Sequence, residues 1–280
     1  MTTLVTGARG RIGQAIVTAL HAAELPVRAA SASPAAANLP VGIEIAELRL
    51  DTPATFGPAL ENTTQVFLYP EPAGIHAFIA AARGAGVEHV VLLSSAAVLS
   101  PNAEADPLAA HHLAVEKALA ASDLTVTVLR PDCFATNTLG WIHPITNGLP
   151  IEHAFPDAAM AVVHPADIAD VAVAACTGGS VRGRTITLTG PELLTFRDQL
   201  AIVSEALGRD IPMRVITRAA AEEQMAQHMP PTFITSLLNY WETAAENPAP
   251  VADTTETLLG APARSFARWV RENAGAFTPE

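Results

Sequence analysis

A glycine-rich run stands almost at the start of the chain and reads Thr6-Gly7-Ala8-Arg9-Gly10-Arg11-Ile12-Gly13. It follows a short apolar segment, residues 3–5, and leads into residues 11–23, where apolar residues recur at helical spacing. In such a strand–turn–helix, the first glycine permits the tight turn and the second lets a phosphate approach backbone N–H groups. The third glycine lets the helix pack close to the strand. The run predicts a dinucleotide-binding βαβ unit, with a βα turn that binds no ligand as the alternative.

Short apolar runs alternate with helical patterns through the first half of the chain. Strands are predicted at residues 3–5, 26–30, 43–50, 65–69, 89–94 and 125–129, and helices at 11–23, 53–60, 74–84 and 108–121. The stretch Val90-Val91-Leu92-Leu93 is continuously apolar, as in a strand that is buried on both faces. The alternation predicts an α/β fold, a doubly wound parallel sheet of the Rossmann type.

The second half has a looser pattern that predicts a smaller C-terminal substrate lobe. Helices are expected at residues 167–175, 196–207, 219–228, 232–246 and 256–273, and strands at 184–189 and 212–217. Gly208 is a predicted C-cap. We therefore divide the chain into a dinucleotide-binding domain, 1–135, and a lobe, 136–280, with residues of about 165–190 returning to the first domain.

The amino-acid composition limits the kinds of molecule that the chain is expected to bind. The 280 residues are 50% hydrophobic, and 16 Lys+Arg face 28 Asp+Glu, for a formal net charge of -12. An acidic chain with scattered arginines argues against nucleic-acid binding. Cys133 and Cys176 fit no metal spacing and are expected to be reduced core thiols. Apolar runs are too short for a membrane span, so we expect a cytoplasmic monomer or homodimer that acts on a small molecule and binds no metal.

The end of the second predicted strand bears on the choice of dinucleotide. A carboxylate there would bind the ribose 2′-hydroxyl and select NAD, but the strand ends in Ser31-Ala32-Ser33. Arg28, Ser31 and Ser33, with Arg9 or Arg11 of the glycine turn, are candidates to hold a 2′-phosphate. NADP is therefore the favoured cofactor and NAD the alternative.

Several stretches together resemble the NmrA-like branch of the atypical short-chain dehydrogenases/reductases. Besides the glycine turn, they are residues 82–95 (a helix end, a GV turn and a strand), His112-Leu113-Ala114-Val115-Glu116, Leu129-Arg130-Pro131-Asp132-Cys133-Phe134-Ala135-Thr136-Asn137 and Asp167-Ile168-Ala169. The resemblance implies a cofactor lying over the strand ends, against the candidates Gly7, Arg9, Gly10, Arg11, Ile12, Gly13, Leu68, Tyr69, Pro70, Ser94 and Pro131. The chain departs from relatives at Ala32, where they have a phosphate-binding arginine, and at Arg49, where an acidic residue is common, although Asp51 lies two residues on.

Standard short-chain dehydrogenases use a Tyr-x-x-x-Lys pair on one helix, in which the ammonium lowers the pKa of the phenol. Extended members have a glutamate four residues after the lysine. Aligning that glutamate with Glu116 puts His112 at the lysine position and Leu108 at the tyrosine position. A tyrosine proton donor is therefore not expected on this helix. His112 is the candidate catalytic residue, through a ribose hydroxyl or as a proton donor, and a solvated pair with His111 is the alternative.

The segments after two predicted strands supply the candidate substrate residues. They are Glu71, Phe134, Asn137 and Trp141, for which a rigid loop or core packing is the alternative. His143, His153 and His164 are expected to line the pocket or lie at the surface, and Asp167 is a predicted N-cap. The sequence favours an NAD(P)H-dependent reductase of a small apolar, aromatic or quinone-like molecule, since such acceptors need no strong acid. The alternatives are a dinucleotide-binding redox sensor that acts through a protein partner and a non-redox enzyme on the same fold.

Overall fold

A computed structural model describes residues 1–36, 39–178 and 180–278. Its strands are β1 Thr2–Val5, β2 Val27–Ser31, β3 Glu44–Glu47, β4 Thr63–Leu68, β5 His89–Leu93, β6 Thr125–Pro131, β7 Ile151–His153, β8 Ala159–Met160, β9 Thr185–Leu188, β10 Leu194–Thr195 and β11 Met213–Val215. Within the described ranges, seven strands form one parallel sheet in the order β3-β2-β1-β4-β5-β6-β9. The predicted doubly wound parallel sheet is confirmed, and β9 extends it at one edge.

Helices cover both faces of this sheet. They are α1 Arg11–Ala22, α2 Phe56–Leu60, α3 Ile75–Gly84, α4 Pro107–Ala120, α5 Ile142–Thr146, α6 Pro165–Cys176, α7 Phe196–Leu207, α8 Arg218–Met225, α9 Pro231–Glu246, α10 Thr254–Leu259 and α11 Phe266–Asn273. One apolar core lies between the sheet and α1, α6 and α10, and another lies between the sheet and α2, α3 and α4. All of β5 is buried, as its continuous apolar run requires.

A polar contact is enclosed within the sheet at the start of β5. The ring of His89 is fully buried, and its nitrogens lie 3.1 Å from Gln65 Oε1 and 2.9 Å from Thr127 Oγ1 on the neighbouring strands. Burial lowers the pKa of His89 to about 4, so the imidazole is neutral and both nitrogens are satisfied. The contact links three adjacent strands at the edge opposite the glycine turn.

The C-terminal lobe packs around α7 and the short strand pairs. β8 pairs antiparallel with β10, and β7 pairs parallel with β11. Thr195 caps α7 in a reciprocal box with Asp198, and Gly208 ends the helix with a φ of 63°, as predicted. Within the described ranges, no helix is long and apolar enough to span a membrane.

The predicted helix at 256–273 is wrong, because the structure divides it into α10 and α11. Gly260 adopts the left-handed conformation (φ 68°) after α10, and Pro262 follows before Ser265 caps α11. α10 packs on α6 and β9, so a second stretch of the C-terminal half returns to the large sheet. Thr189 Oγ1 both donates to Ala252 O and accepts from Ala252 N at this return.

Asp167 is not the N-cap that the sequence predicts. His164 is the N-cap of α6, where its Nδ1 accepts from Ala166 N. Asp167 lies in the first turn, only 1% exposed, and pairs with Arg264 through both the guanidinium and the backbone N–H. Arg264 also binds Asp170. The carboxylate therefore ties the segment between α10 and α11 to α6.

Replacing Arg264 with alanine should lower the free energy of unfolding by about 3 kcal/mol, because Asp167 would stay buried without its counter-charge. Urea unfolding at neutral pH measures the change. Arg268→Ala is the matched control, since Arg268 and its partner Glu272 are 54% and 44% exposed and such pairs contribute at most about 0.5 kcal/mol. Equal losses in the two variants would contradict a special role for the buried pair.

Candidate active site

The glycine turn after β1 is packed so closely that side chains do not fit. Gly7 has a φ of +63°, and a Cβ added to it would meet the Tyr69 ring at 2.6 Å. A Cβ on Gly13 would lie 2.6 Å from the Gly7 carbonyl oxygen. Ala8 N donates to Ala30 O at 3.1 Å, which binds the turn to the end of β2. The tight turn and the close helix–strand approach are therefore as the motif requires.

The N-terminus of α1 presents N–H groups without intrahelical acceptors at the carboxyl edge of the sheet. Gly10 is the N-cap residue and has no side chain to cap the helix. The first intrahelical bond runs from Gln14 N to Gly10 O at 2.9 Å, so Arg11, Ile12 and Gly13 have no intrahelical acceptor for their N–H groups. A diphosphate fits this arrangement, because the N–H groups and the helix dipole both favour an anion.

Tyr69 forms one wall of the turn. Its ring lies against Gly7, and its hydroxyl lies 3.3 Å from where a Cβ of Gly10 would stand. Tyr69 N donates to Thr6 Oγ1 at 2.9 Å, which places the residue directly after β4. Burial raises the pKa of Tyr69 to about 12, so the phenol remains protonated and can donate a hydrogen bond.

The structure removes Arg28 from the candidate phosphate ligands. Arg28 lies near the amino end of β2, where it donates to Glu61 O at 2.6 Å and pairs with Glu44 at 2.9 Å. Because ligands bind at the carboxyl ends of parallel strands, its guanidinium is at the wrong edge. Ser31, buried at the other end of β2, accepts from Ser33 N at 3.0 Å.

Two arginines of the glycine turn differ in their surroundings. Arg9 is exposed on the turn, whose neighbour Ala8 binds the end of β2. Arg11 donates to Asn273 Oδ1 at 3.1 Å and so reaches toward α11. Arg9 is the arginine better placed to meet a group at the end of β2.

Ser94 belongs to a buried polar network. Its Oγ donates to Glu116 Oε1 at 2.5 Å, and Arg130 binds both oxygens of Glu116 at 3.0 and 2.5 Å. The network joins the ends of β5 and β6 to α4. Because the Ser94 proton is held by Glu116, Ser94 can only accept a hydrogen bond from a ligand.

His112 lies one turn before Glu116 on α4. Its Nδ1 is buried and finds no hydrogen-bond partner among the residues that the structure describes. Burial lowers the pKa of His112 to about 4, assisted by the nearby His111. The neighbouring His111 ring lies 3.2 Å from Pro70 O. The unsatisfied buried Nδ1 of His112 suits a ligand hydroxyl.

The remaining substrate candidates are only partly brought together. Glu71 Oε1 accepts from Ala73 N at 3.0 Å, so it supports its own loop. Phe134 is half-buried and bridges to Val163, whereas Asn137 is exposed, with its Nδ2 3.5 Å from Cys133 Sγ. Trp141 packs on Phe196 with ring centroids 6.4 Å apart.

Sequence reasoning missed an aromatic cluster made by the lobe. Phe196 lies 3.7 Å from the His153 ring and 5.3 Å from the Trp241 ring, centroid to centroid. Burial lowers the pKa of His153 to about 4, so this ring is neutral. The cluster joins β7, α7 and α9, and no local pattern in the sequence links those segments. His143 is exposed near Asn147, and His164 contacts Glu272 at 3.1 Å, so neither joins the cluster.

Tyr240 was also missed because it lies far from α4 in the sequence. Its hydroxyl donates to Asp132 Oδ1 at 2.5 Å, immediately after β6. Burial raises the pKa of both groups. Burial likewise raises the pKa of Cys133 to about 12, so its thiol is not a nucleophile at neutral pH. Across the described part of the chain, no group of three His, Cys, Asp or Glu residues is arranged to hold a metal.

Comparison with known proteins covers nearly the whole chain. A (4-alkanoyl-5-oxo-2,5-dihydrofuran-3-yl)methyl phosphate reductase of Streptomyces griseus is 36% identical over 282 residues, covering 99% of each chain. An NAD(P)H azoreductase of Xenophilus azovorans is 30% identical over 285 residues, covering 98% of each.

Solved structures show the same fold. The Citrobacter triphenylmethane reductase complexed with NADP(H) matches with a TM-score of 0.79 and 19% identity over 98% of this chain and 100% of that one. The Escherichia coli NADPH-dependent quinone oxidoreductase with NADPH matches with a TM-score of 0.81 and 21% identity, over 96% of this chain and 99% of that one.

A family model described as NAD(P)H-binding matches residues 7–178, from the glycine turn past α6. The matched region holds the glycine turn, the N-terminus of α1 and the strand ends that form the candidate cofactor site. The chain therefore belongs to the NAD(P)H-binding family, in the NmrA-like branch of the atypical short-chain dehydrogenases/reductases, and is an NAD(P)H-dependent oxidoreductase.

Proposed function

We propose that this protein is an NADPH-preferring reductase of a small, uncharged, conjugated acceptor of quinone-like or aromatic character. The observation that carries the proposal is the aromatic surface beyond β6, formed by the half-buried Trp141, Tyr240 and Trp241 around the buried Phe196. Aromatic walls favour planar apolar molecules through area burial and stacking. α4 meanwhile has no tyrosine, which suits acceptors that are reduced without a strong acid.

The cofactor contacts follow from the geometry of the carboxyl edge. The N–H groups of residues 11–13 would hold the diphosphate, and the Tyr69 hydroxyl would donate to it. The Leu68–Pro70 end of β4, Ser94 and Pro131 would line the path toward the nicotinamide. Bound there, the reduced nicotinamide supplies a hydride to the acceptor.

His112 is proposed to bind a ribose hydroxyl rather than to act as an acid. Its pKa of about 4 leaves the imidazole neutral at pH 7, and a neutral imidazole is a poor proton donor. Its buried Nδ1 can accept or donate one hydrogen bond, depending on the tautomer. Of the two roles that the sequence suggests for His112, we therefore keep ribose binding. Another group must then donate the proton.

The substrate class is supported by the relatives and by the charges of the lobe. The two relatives with at least 30% identity reduce an azo compound and an acylated oxo-dihydrofuran, as their names state. The second compound carries a phosphate. In this chain three arginines of the lobe already pair with carboxylates: Arg197 with Asp157, Arg214 with Glu152, and Arg218 with Glu222 and Glu242. This pairing favours an acceptor without a phosphate group.

Glu71 and Asn137 are retained as substrate-side residues only at the rim. Glu71 is tied to its own loop, and Asn137 is exposed beside Cys133. Phe134 and Trp141 are the better supported pair, because each is half-buried beyond the end of β6. A rim position predicts weak effects on turnover for the first two residues.

Gly10→Ala should weaken NADPH binding at least about tenfold, because the methyl group would occupy the approach of the diphosphate. The fold should persist, since Gly10 has φ −77° and the new Cβ would meet its neighbours at 3.3 Å. Fluorescence titration with NADPH measures the change. Gly84→Ala is the control, because nothing lies within 4 Å of its added Cβ. Unchanged affinity in Gly10→Ala would place the diphosphate elsewhere.

Arg9→Ala should weaken NADPH binding by about tenfold and leave NADH binding unchanged, since only NADPH carries the 2′-phosphate. Wild-type protein should bind NADPH more tightly, although Glu47, in register with Ser31, would oppose that preference. Titration of both cofactors measures the ratio. Arg83→Ala is the control, because Arg83 lies on α3 and pairs with Asp123. A wild-type preference for NADH would overturn the assignment to NADP.

Mixing the protein with NADPH and separate acceptors tests the reaction directly. A quinone, an azo dye and a conjugated lactone should each oxidise NADPH faster than a saturated ketone, because conjugation spreads the negative charge that hydride addition places on the acceptor. In the same assay His112→Leu should raise the KM for NADPH more than His111→Leu does. NADPH binding without oxidation by any acceptor would instead favour the redox sensor or the non-redox enzyme.

A further inference from the structure

Tyr240 and Asp132 meet although they lie 108 residues apart in the chain. The phenol comes from α9, and the carboxylate follows the last residue of β6. Asp132 Oδ2 also accepts from Ala161 N at 3.4 Å, next to β8. Both side chains are half-buried, so the pair is shielded from bulk water and still reachable from the aromatic surface.

The pair lies at the ligand edge of the sheet. Pro131, directly before Asp132, ends β6 at the same edge as Ser94 and the glycine turn. α9 packs along α4, and the ring of Phe233 on α9 lies 6.5 Å from the ring of His111. Tyr240 is therefore presented at this edge by a second helix, α9, which packs on the α4 helix that carries the tyrosine in standard relatives.

We propose that Tyr240 and Asp132 form the substrate-side proton-delivering pair, with Tyr240 donating to the acceptor oxygen and Asp132 replenishing the phenol. This inference rests on the proposed reductase function and names the group that supplies its proton. It replaces the tyrosine that α4 lacks with one delivered by the lobe.

The step balances in atoms and electrons. A hydride from the reduced nicotinamide forms a new bond to the acceptor, and a π electron pair moves onto the acceptor oxygen. The Tyr240 O–H bond breaks as a new O–H bond forms on that oxygen. The Asp132 carboxyl proton passes to the phenolate oxygen, and water later returns a proton to Asp132. The negative charge is thus never left on the buried phenol, whose pKa burial raises.

The relay requires Asp132 to carry a proton when the acceptor binds. Burial raises the pKa of Asp132, whereas hydrogen bonds from Tyr240 and from the backbone of Cys133 and Ala161 oppose that rise. When Asp132 is ionised, it holds the phenol proton for itself. Activity is therefore present below the pKa of Asp132 and is lost as pH rises through it.

The other titratable groups near Tyr240 and Asp132 do not account for a loss of activity as the pH rises. Burial raises the pKa of the Cys133 thiol to about 12 and lowers the pKa of His153 to about 4, so neither group changes charge close to neutrality. Arg218 on α8 faces α9 but is bound to Glu222 and Glu242. On the α4 side, His111 contacts Phe233 rather than the pair.

Two variants test the proposal in the full-length protein. Tyr240→Phe should lower kcat with a quinone at least about tenfold and leave the NADPH affinity unchanged. Asp132→Asn should lower kcat and abolish its decline with rising pH, because the amide has no titrating proton to pass to the phenolate. Thr243→Ala, exposed on the same helix, is the control.

A binding measurement without cofactor tests the role of Tyr240 independently of the proposed reductase reaction. p-Nitrophenolate should quench tryptophan fluorescence when it reaches the surface beside Trp241, and Tyr240→Phe should weaken its affinity about fivefold or more. If no acceptor oxidises NADPH but this difference holds, the reductase function fails and the oxygen-binding role of Tyr240 stands. Unchanged probe affinity and kcat in Tyr240→Phe, or a wild-type pH profile in Asp132→Asn, overturns the proposal.

Discussion

The close approach of α1 to β1 is the constraint on which the site depends. No Cβ fits at Gly13, because the Gly7 carbonyl oxygen would lie 2.6 Å away. This contact brings the apolar face of α1 (Ile12, Ile16, Val17 and Leu20) onto the sheet and against α6. It also aims the first N–H groups of α1 at the carboxyl edge. Packing density and anion binding thus have one cause, which is why glycine is needed there for both.

A second anchor positions α4. Glu116 binds Ser94 at the end of β5 and Arg130 on β6, so one buried carboxylate sets the helix against two strands. Because His112 lies one turn earlier on α4, the same anchor fixes the position of its backbone. The chain has the helix and the glutamate that extended short-chain dehydrogenases have, at α4 and Glu116. It has Leu108 and His112 at the positions of their tyrosine and lysine.

Local patterns were enough to predict the sheet, the glycine turn and most helices, because glycine spacing and apolar periodicity act within a few residues. Arg28 was misassigned because residue order within a short strand does not show which end of the strand a long side chain reaches. Asp167 was taken for a cap because Arg264, 97 residues away, gives no local signal. The aromatic cluster and the Tyr240–Asp132 contact join segments that only tertiary packing brings together. The sequence shows these residues but does not predict that they are in contact.

After most of the lobe, the chain returns to the large sheet at α10. This return affects how the protein can evolve and be engineered. α10 rests on α6 and β9, and the reciprocal Thr189–Ala252 bonds and the Asp167–Arg264 pair hold it there. The dinucleotide half is therefore completed by residues that come after most of the lobe. A chimera that exchanges everything beyond residue 136 would also exchange part of the nucleotide half's own wall. A new substrate specificity is better introduced by replacing segments between β10 and α9. Such replacements leave the Thr189–Ala252 bonds and the Asp167–Arg264 pair in place.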